Sequence, residues 1–298
     1  MNASADAARF WARLFLLEAD DASLAPMRGD ARFASALPAT AQNLRVEFTR
    51  LFSLVVFPYA SVYLDADGAL NTETTARVQA AYDRAGFELP RDVPVGAPDH
   101  FGAELLFAAE LFERGHADAA QKFIGEEILA WSPIFLRAVE RNASEEIYRA
   151  AARATRDWLS EQTAGCKPPV AGLYSTEIVF AEVDLHAVVA EFVTPARAGM
   201  FLSKEDLFRM ARTVNLPVSF GDRALMLVSL FRAAGEHERV DALLGALAAE
   251  VNAWIEEYAR ESRDDPTMEP FVRVWQVRAE QSLLRLQTMQ RAAREADE

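Results

Sequence analysis

Three observations predict an all-α protein. Apolar residues recur at three- and four-residue spacing along most of the 298-residue chain, helix-capping residues and Gly/Pro breaks punctuate those stretches, and no convincing run alternates apolar with polar residues as a strand would. With 51% hydrophobic and 26% charged residues the composition is that of a globular protein. A chain of this size buries about three quarters of its extended surface on folding, enough for one large core or two modest ones.

The elements follow in order. Phe10, Leu14 and Leu16 among alanines predict a short amphipathic helix over 6–19, and Gly29 and Pro38 bracket a variable stretch. Leu44, Val46, Phe48, Leu51, Phe52 and Val55 predict a strongly apolar helix over 42–56, stopped by Pro58 because proline lacks the N–H and clashes with the preceding turn. Asn71 stands as an N-cap, with Thr74 at the third helical position, for a helix running to about Arg84 and ended by Gly86. Pro90, Pro94, Gly96 and Pro98 form the next connection. Asp99 is placed to cap a helix carrying Leu105, Leu106, Ala109 and Phe112 and ended by Gly115. A long partner carries Phe123, Ile124, Ile128, Trp131, Phe135 and Val139, and another helix runs from about Ser144 to Leu159.

Two prolines and two glycines in 165–172, with little periodicity, make this the best break in the chain. The expected organisation is a helical domain over 1–164, a linker over 165–175 and a second helical domain over 176–298. A helix over 177–192 breaks at Thr194-Pro195, and Ser203 with Asp206 nearly matches a capping box. Asp222 caps a helix through Leu225, Leu227, Val228 and Phe231, a long helix covers about 237–258, and a charged final helix follows Pro266 and Pro270. Pro98-Asp99, Leu111-Phe112, Gly115 and Trp131 in the first part are echoed by Gly221-Asp222, Leu230-Phe231, Gly235 and Trp254 in the second. A diverged duplication and two look-alike capped hairpins both produce such a pattern, and the second explanation is the simpler.

Charge narrows the partners. Forty-five acidic against 31 basic residues give a formal charge of −14. No basic stripe suits nucleic acid, and the same field disfavours anionic membranes and favours cationic peptides, although solubility accounts for much of such an excess. The N-terminus lacks a basic, long apolar signal, and the run over 51–60 is about half a membrane span, so a cytoplasmic protein without stable membrane insertion is expected. Cys166 is alone, which removes an intrachain disulfide and cysteine-rich metal sites.

Catalytic signatures are missing. Four histidines, at 100, 116, 186 and 237, form no close ligand cluster, and there is no P-loop, dinucleotide fingerprint or nucleophile elbow. Neither an enzyme nor a cofactor is expected. Two stretches are more informative. Tyr59, Ser61 and Tyr63 follow an apolar helix in a turn that either presents aromatic surface to a peptide or forms a buried helix corner. Asp99, His100 and Glu104 crowd a helix start; capping explains Asp99, His100 and Glu104 four residues apart read first as a helix-start polar pair, and the cluster as a whole either receives an arginine or organises a polar groove.

At these residues the sequence resembles the TorD/DmsD family of redox-enzyme maturation chaperones. The resemblance rests on the proline–aromatic–Ser–x–Tyr turn Pro58-Tyr59-Ala60-Ser61-Val62-Tyr63, on Pro98-Asp99-His100-Phe101-Gly102-Ala103-Glu104-Leu105, and on Phe123 followed by Ile128-Leu-Ala-Trp131 and Phe135. It covers roughly residues 8–160 and implies an all-helical fold. It implies a partner, the apo form of a molybdenum-cofactor oxidoreductase subunit or its twin-arginine signal peptide, held ready for cofactor insertion while export is delayed. It also implies client-binding roles for Asp99 and His100, with Tyr59, Ser61 and Tyr63 shaping the adjoining surface and Glu104 positioning the polar network; Trp131 and Phe135 fit a core role. Some members are associated with guanine nucleotides, but this chain has no nucleotide motif.

Two departures stand out. Glu127 occupies a position where the family often has histidine, and the chain continues well past the usual single domain. That extension could grip the redox subunit, replace the groove or make a homodimer. The competing expectation is a non-catalytic helical scaffold or regulatory module with an unrelated partner.

Overall fold

A computed structural model describes residues 2–18, 20, 24–37, 42–91, 93, 95–162 and 184–297. The expected linker over 165–175 with Cys166, the first part of the helix expected over 177–192, and Pro38 and Pro94 lie outside them. The described residues are α-helical with short 3-10 and π-helical turns, and their one β feature is an isolated antiparallel bridge between Tyr59 and His100. The chain divides into two compact units, Met1–Leu173 and Tyr174–Glu298.

In the first unit, α1 (Ala3–Leu16) begins at Asn2, whose side chain accepts the N–H groups of Ser4 and Ala5. Trp11, Ala12 and Phe15 on its buried face pack along the later helix α5. α2 (Gln42–Thr49) does not run as one α-helix to residue 56: it opens into a π-helical turn, Arg50–Val55. Side chains of this segment bond to distant backbone around the turn. Arg50 donates to Glu47 and to the Asn142 carbonyl, and Glu47 accepts the Ser144 N–H at 2.6 Å.

α3 (Ala60–Leu64) is short and wholly buried. α4 (Glu73–Arg84) starts at Thr72, not Asn71; Asn71 instead takes a left-handed φ of 59°, which asparagine tolerates. α5 (Phe101–Glu113) begins at His100 rather than Asp99. A Cβ on Gly102 would sit 2.4 Å from Leu16 Cγ and 2.9 Å from the Ala12 carbonyl, so only glycine lets α5 approach α1 this closely.

The long helix expected through Phe123 and Val139 is broken. α6 (Ala117–Phe123) passes into a π-helical turn, Ile124–Ile128, and α7 (Ser132–Asn142) restarts with Trp131 as N-cap and proline in its first turn. α8 (Glu146–Gln162) completes the unit. Between these helices Phe15, Phe52, Tyr63, Phe101, Trp131 and Phe135 make an aromatic core, with Tyr63 stacked on Trp131 at 5.3 Å and Phe15 edge-on to Phe101 at 4.8 Å. Such pairs add about 0.5–1.5 kcal/mol each beyond their buried area.

In the second unit α9 (Leu185–Val193) is capped by Asp184, and α10 (Pro195–Ala198) ends at Gly199, with φ of 69°. The Gly199 carbonyl accepts the Tyr258 hydroxyl at 2.9 Å, and a Cβ there would meet the Ala279 backbone at 2.3 Å. α11 (Lys204–Thr213) carries the full Ser203/Asp206 capping box, and α12 (Arg223–Glu236) is capped by Asp222. α13 (Val240–Asp264) starts later and ends later than expected, because His237 closes α12. It packs extensively on α14 (Glu269–Asp297) over the buried Trp254, Tyr258 and Trp275.

Candidate functional site

Two loops 40 residues apart in sequence meet where α3 and α5 begin. Phe101 N–H donates to the Pro58 carbonyl at 2.8 Å, and Ala60 N–H donates to the Asp99 carbonyl at 2.9 Å. Tyr59 and His100 are thereby paired, their rings edge-to-face at 5.0 Å. Tyr59 has no capping side chain to offer α3, whose first N–H groups are buried and need an acceptor. Asp99 supplies it from the other loop: Oδ2 accepts the Ser61 N–H at 2.9 Å, while Oδ1 accepts the Thr75 hydroxyl at 3.1 Å. Asp99 is therefore a cap in trans.

The helix that follows Asp99 is capped by His100, whose Nδ1 accepts the Gly102 N–H at 3.1 Å. An accepting Nδ1 carries no proton, so the remaining imidazole proton sits on Nε2. Burial lowers the His100 pKa to about 3, which keeps the ring neutral and the cap intact at physiological pH.

The other predicted residues form an inner layer. Ser61 and Tyr63 are fully buried on α3, and they line the interior rather than the adjoining surface. Glu104 is also fully buried; its Oε2 accepts the Trp131 indole N–H at 3.1 Å, and it turns to Trp131 rather than to His100. Its Oε1 and the Ser61 hydroxyl have no hydrogen-bond partner. Burial, reinforced by the nearby Asp99 and Glu127 carboxylates, pushes the Glu104 pKa well above the usual carboxyl range. Burial thus favours the protonated form of this carboxyl. All six predicted residues thus converge, and of these Tyr59 is the one left partly exposed, its hydroxyl accepting the Gly96 N–H at 3.2 Å. Trp131 and Phe135 are both fully buried core residues.

Sequence reasoning missed the groups around this layer. Thr75 and Tyr82 reach it from α4, Tyr82 donating to the Pro98 carbonyl at 2.9 Å. Arg77, on the same helix, places Nε 2.9 and 3.2 Å from the two carboxylate oxygens of Glu127. Fifty residues separate that pair; the available signal was Glu127 itself, a charge beside Ile128 in an apolar run that needs a counter-ion once packed. Glu127 also lines an open cavity of about 680 Å³ between α4, α5, α6 and the second π turn, whose walls include Phe107, Leu111 and Phe123 and whose rim carries Arg84 and Lys122. Among the described residues no group of three His, Cys, Asp or Glu side chains is arranged to hold a metal ion. No helix among them is long and apolar enough to cross a membrane.

The family model "Nitrate reductase delta subunit" matches residues 17–137, which contain every residue of the corner and its inner layer. The chain is similar to the "Tat proofreading chaperone DmsD" of Salmonella typhi, 30% identical over 165 residues that cover 54% of this chain and 77% of that protein. It is similar as well to proteins of the same description from Salmonella paratyphi A, 30% identical over 45% of this chain and 64% of the relative, and from Salmonella typhimurium, 28% identical over 54% and 77%. Identity at this level across three quarters of a relative, on an all-helical fold that joins the Tyr59 turn to the Asp99-His100 turn, has one reading: the chain belongs to the TorD/DmsD family of redox-enzyme maturation chaperones, which are not catalysts.

Proposed function

We propose that this protein binds an apo molybdopterin oxidoreductase subunit in the cytoplasm, engages its twin-arginine signal peptide, and holds it for cofactor insertion while delaying export. The relation to the DmsD chaperones carries this reading. The geometry adds a physical basis. The corner formed by Tyr59, Ser61, Tyr63, Asp99, His100 and Glu104 offers a partly exposed tyrosine over a rigid buried polar layer, and the open cavity nearby offers aromatic and aliphatic walls to an apolar segment. The chain's net negative charge favours a cationic signal sequence, and neither nucleotide nor covalent chemistry is required.

The test is affinity capture of the tagged full chain from its own cells, with quantitative mass spectrometry of what it retains. One immature molybdoenzyme subunit is expected, and removing that subunit's signal peptide should reduce its recovery about tenfold, equivalent to about 1.4 kcal/mol of affinity. Tyr59→Ala should reduce recovery while leaving helicity intact. Reproducible capture of an unrelated folded protein, with no redox subunit, would replace this reading with that of a scaffold.

A further inference from the structure

The second unit carries an aromatic surface that its own packing leaves in water. Phe220 stands in the loop between α11 and α12, 86% exposed, its ring 5.6 Å from that of the half-buried Phe208. Leu225, 51% exposed, leans over Gly221, where an added Cβ would meet its Cδ2 at 2.6 Å. The Ser219 N–H donates to the Ser229 hydroxyl at 3.3 Å, which ties the loop to the face of α12 shared by Leu225 and Arg232. Phe220 is thus held outward on an anchored loop, beside two further apolar side chains. The charge around it runs against the rest of the chain. Residues 203–235 hold five basic and three acidic side chains, a local excess of two positive charges in a protein of −14. Asp206 and Asp222 are engaged as helix caps, and Glu205 is the third carboxylate. Arg209 bridges Asp206 and Glu250, while Arg223 lies over the Phe201 ring and donates to the Leu202 carbonyl. Lys204 and Arg212 flank Phe208 one turn to either side on α11. These two and Arg232 make no ion pair or side-chain hydrogen bond among the described residues.

We propose that this face docks an acidic segment of another polypeptide, which sets an apolar side chain against Phe208, Phe220 and Leu225 and carboxylates against Lys204, Arg212 and Arg232. The apolar anchor supplies the desolvated centre of such a contact, and the surrounding cations supply its selectivity. Two of the three are arginines, whose planar fork takes a carboxylate through two parallel hydrogen bonds. Charge also decides against the other occupants. A second copy meeting the same face about a two-fold axis would bring three unpaired cations against three more. An anionic lipid surface is a plane, and it meets the field of the whole acidic molecule rather than this patch alone. A cationic signal sequence is repelled here, so this face serves a different segment from the one assigned to the first unit and stands independently of that assignment.

The test selects binders to the full-length chain from a displayed library of random peptides and measures the selected peptides by fluorescence anisotropy. They should carry Asp or Glu around an aromatic or aliphatic residue. Phe220→Ser, with its thermal midpoint unchanged, should weaken them about tenfold. Lys204→Gln, Arg212→Gln and Arg232→Gln combined should weaken them about as much, while Phe220→Leu keeps most of the affinity. Raising salt from about 0.05 M to about 0.5 M should weaken binding to the unmodified chain and barely affect the triple variant. Selected peptides that are basic, or that bind Phe220→Ser as tightly as the unmodified chain, overturn the proposal. So does a selection that yields no peptide dependent on Phe220. Phe220-dependent binding to vesicles of phosphatidylglycerol and phosphatidylcholine in equal parts, with no such peptide, would make the face a lipid contact. A dimer in sedimentation that Phe220→Ser dissociates would make it a self-contact, and either result replaces the acidic partner.

Discussion

The starts of α5 and α12 look alike in sequence and are built differently. Each has an aspartate after a Pro or Gly break, with an apolar helix beyond. Asp222 is exposed and does the local job: its Oδ1 accepts the Leu225 N–H of its own helix at 2.8 Å. Asp99 is buried, caps α3 from 38 residues away, and leaves its own helix to His100. The two tryptophans in the echoed patterns diverge as well. Trp131 is an N-cap residue bonded to a buried carboxyl, and Trp254 sits within the 25-residue α13. A shared pattern of turn, cap and apolar spacing thus describes two helical hairpins, whereas burial decides whether the aspartate is a replaceable cap or the joint between two loops.

Acid titration should separate the regions most. With a folded pKa of about 3 against 6.5 unfolded, His100 must stay neutral to cap α5; its contribution is complete above pH 6.5 and is lost as pH falls towards 3, on the order of 5 kcal/mol over that window. His100→Asn, which keeps a capping oxygen and does not titrate, should flatten this limb in urea unfolding followed from pH 7 to 4.

Substitution of the two aspartates gives the next contrast. Asp99→Ala strands a buried N–H on α3 and the Thr75 hydroxyl, a loss of about 3 kcal/mol. Asp222→Ala removes one exposed cap, about 1 kcal/mol. Equal losses in urea unfolding would erase the distinction drawn between them.

Glu104 works in the opposite pH direction from its neighbour His100. Its folded pKa is raised, so its contribution is complete below the ordinary carboxyl value of 4.5 and is lost as pH rises beyond it. Glu104→Gln keeps an acceptor for Trp131 and cannot ionise; its stability advantage over the unmodified chain should widen from pH 5 to pH 8. A smaller effect belongs to Phe220 in the second unit, 86% exposed and in ring contact with Phe208. Phe220→Ser should shift stability by no more than about 0.5 kcal/mol.

Most of the fold was legible in the chain because helices report themselves locally. Apolar spacing, Ser203 with Asp206, Asp222 before Leu225, and the glycine stops all act within one or two turns. The misreadings share one cause. The π turns at 50–55 and 124–128 are not encoded in apolar periodicity; in the first, bonds to Asn142 and Ser144, about 90 residues away, hold the turn. Asn71 is a cap candidate by residue type, but its left-handed backbone places it outside the helix.

The six candidate residues belong to two motifs that are visible in the sequence. Their arrangement is not. That Asp99 serves α3, that His100 serves α5, that Ser61 and Glu104 face inward, and that Arg77 meets Glu127 are consequences of packing distant segments together. By itself the sequence determined helices, stops and the acidic balance, since those depend on near neighbours and composition. Tertiary structure alone decided which polar groups lost water and which distant partners replaced it, because desolvation is a property of the packed chain and of no single segment.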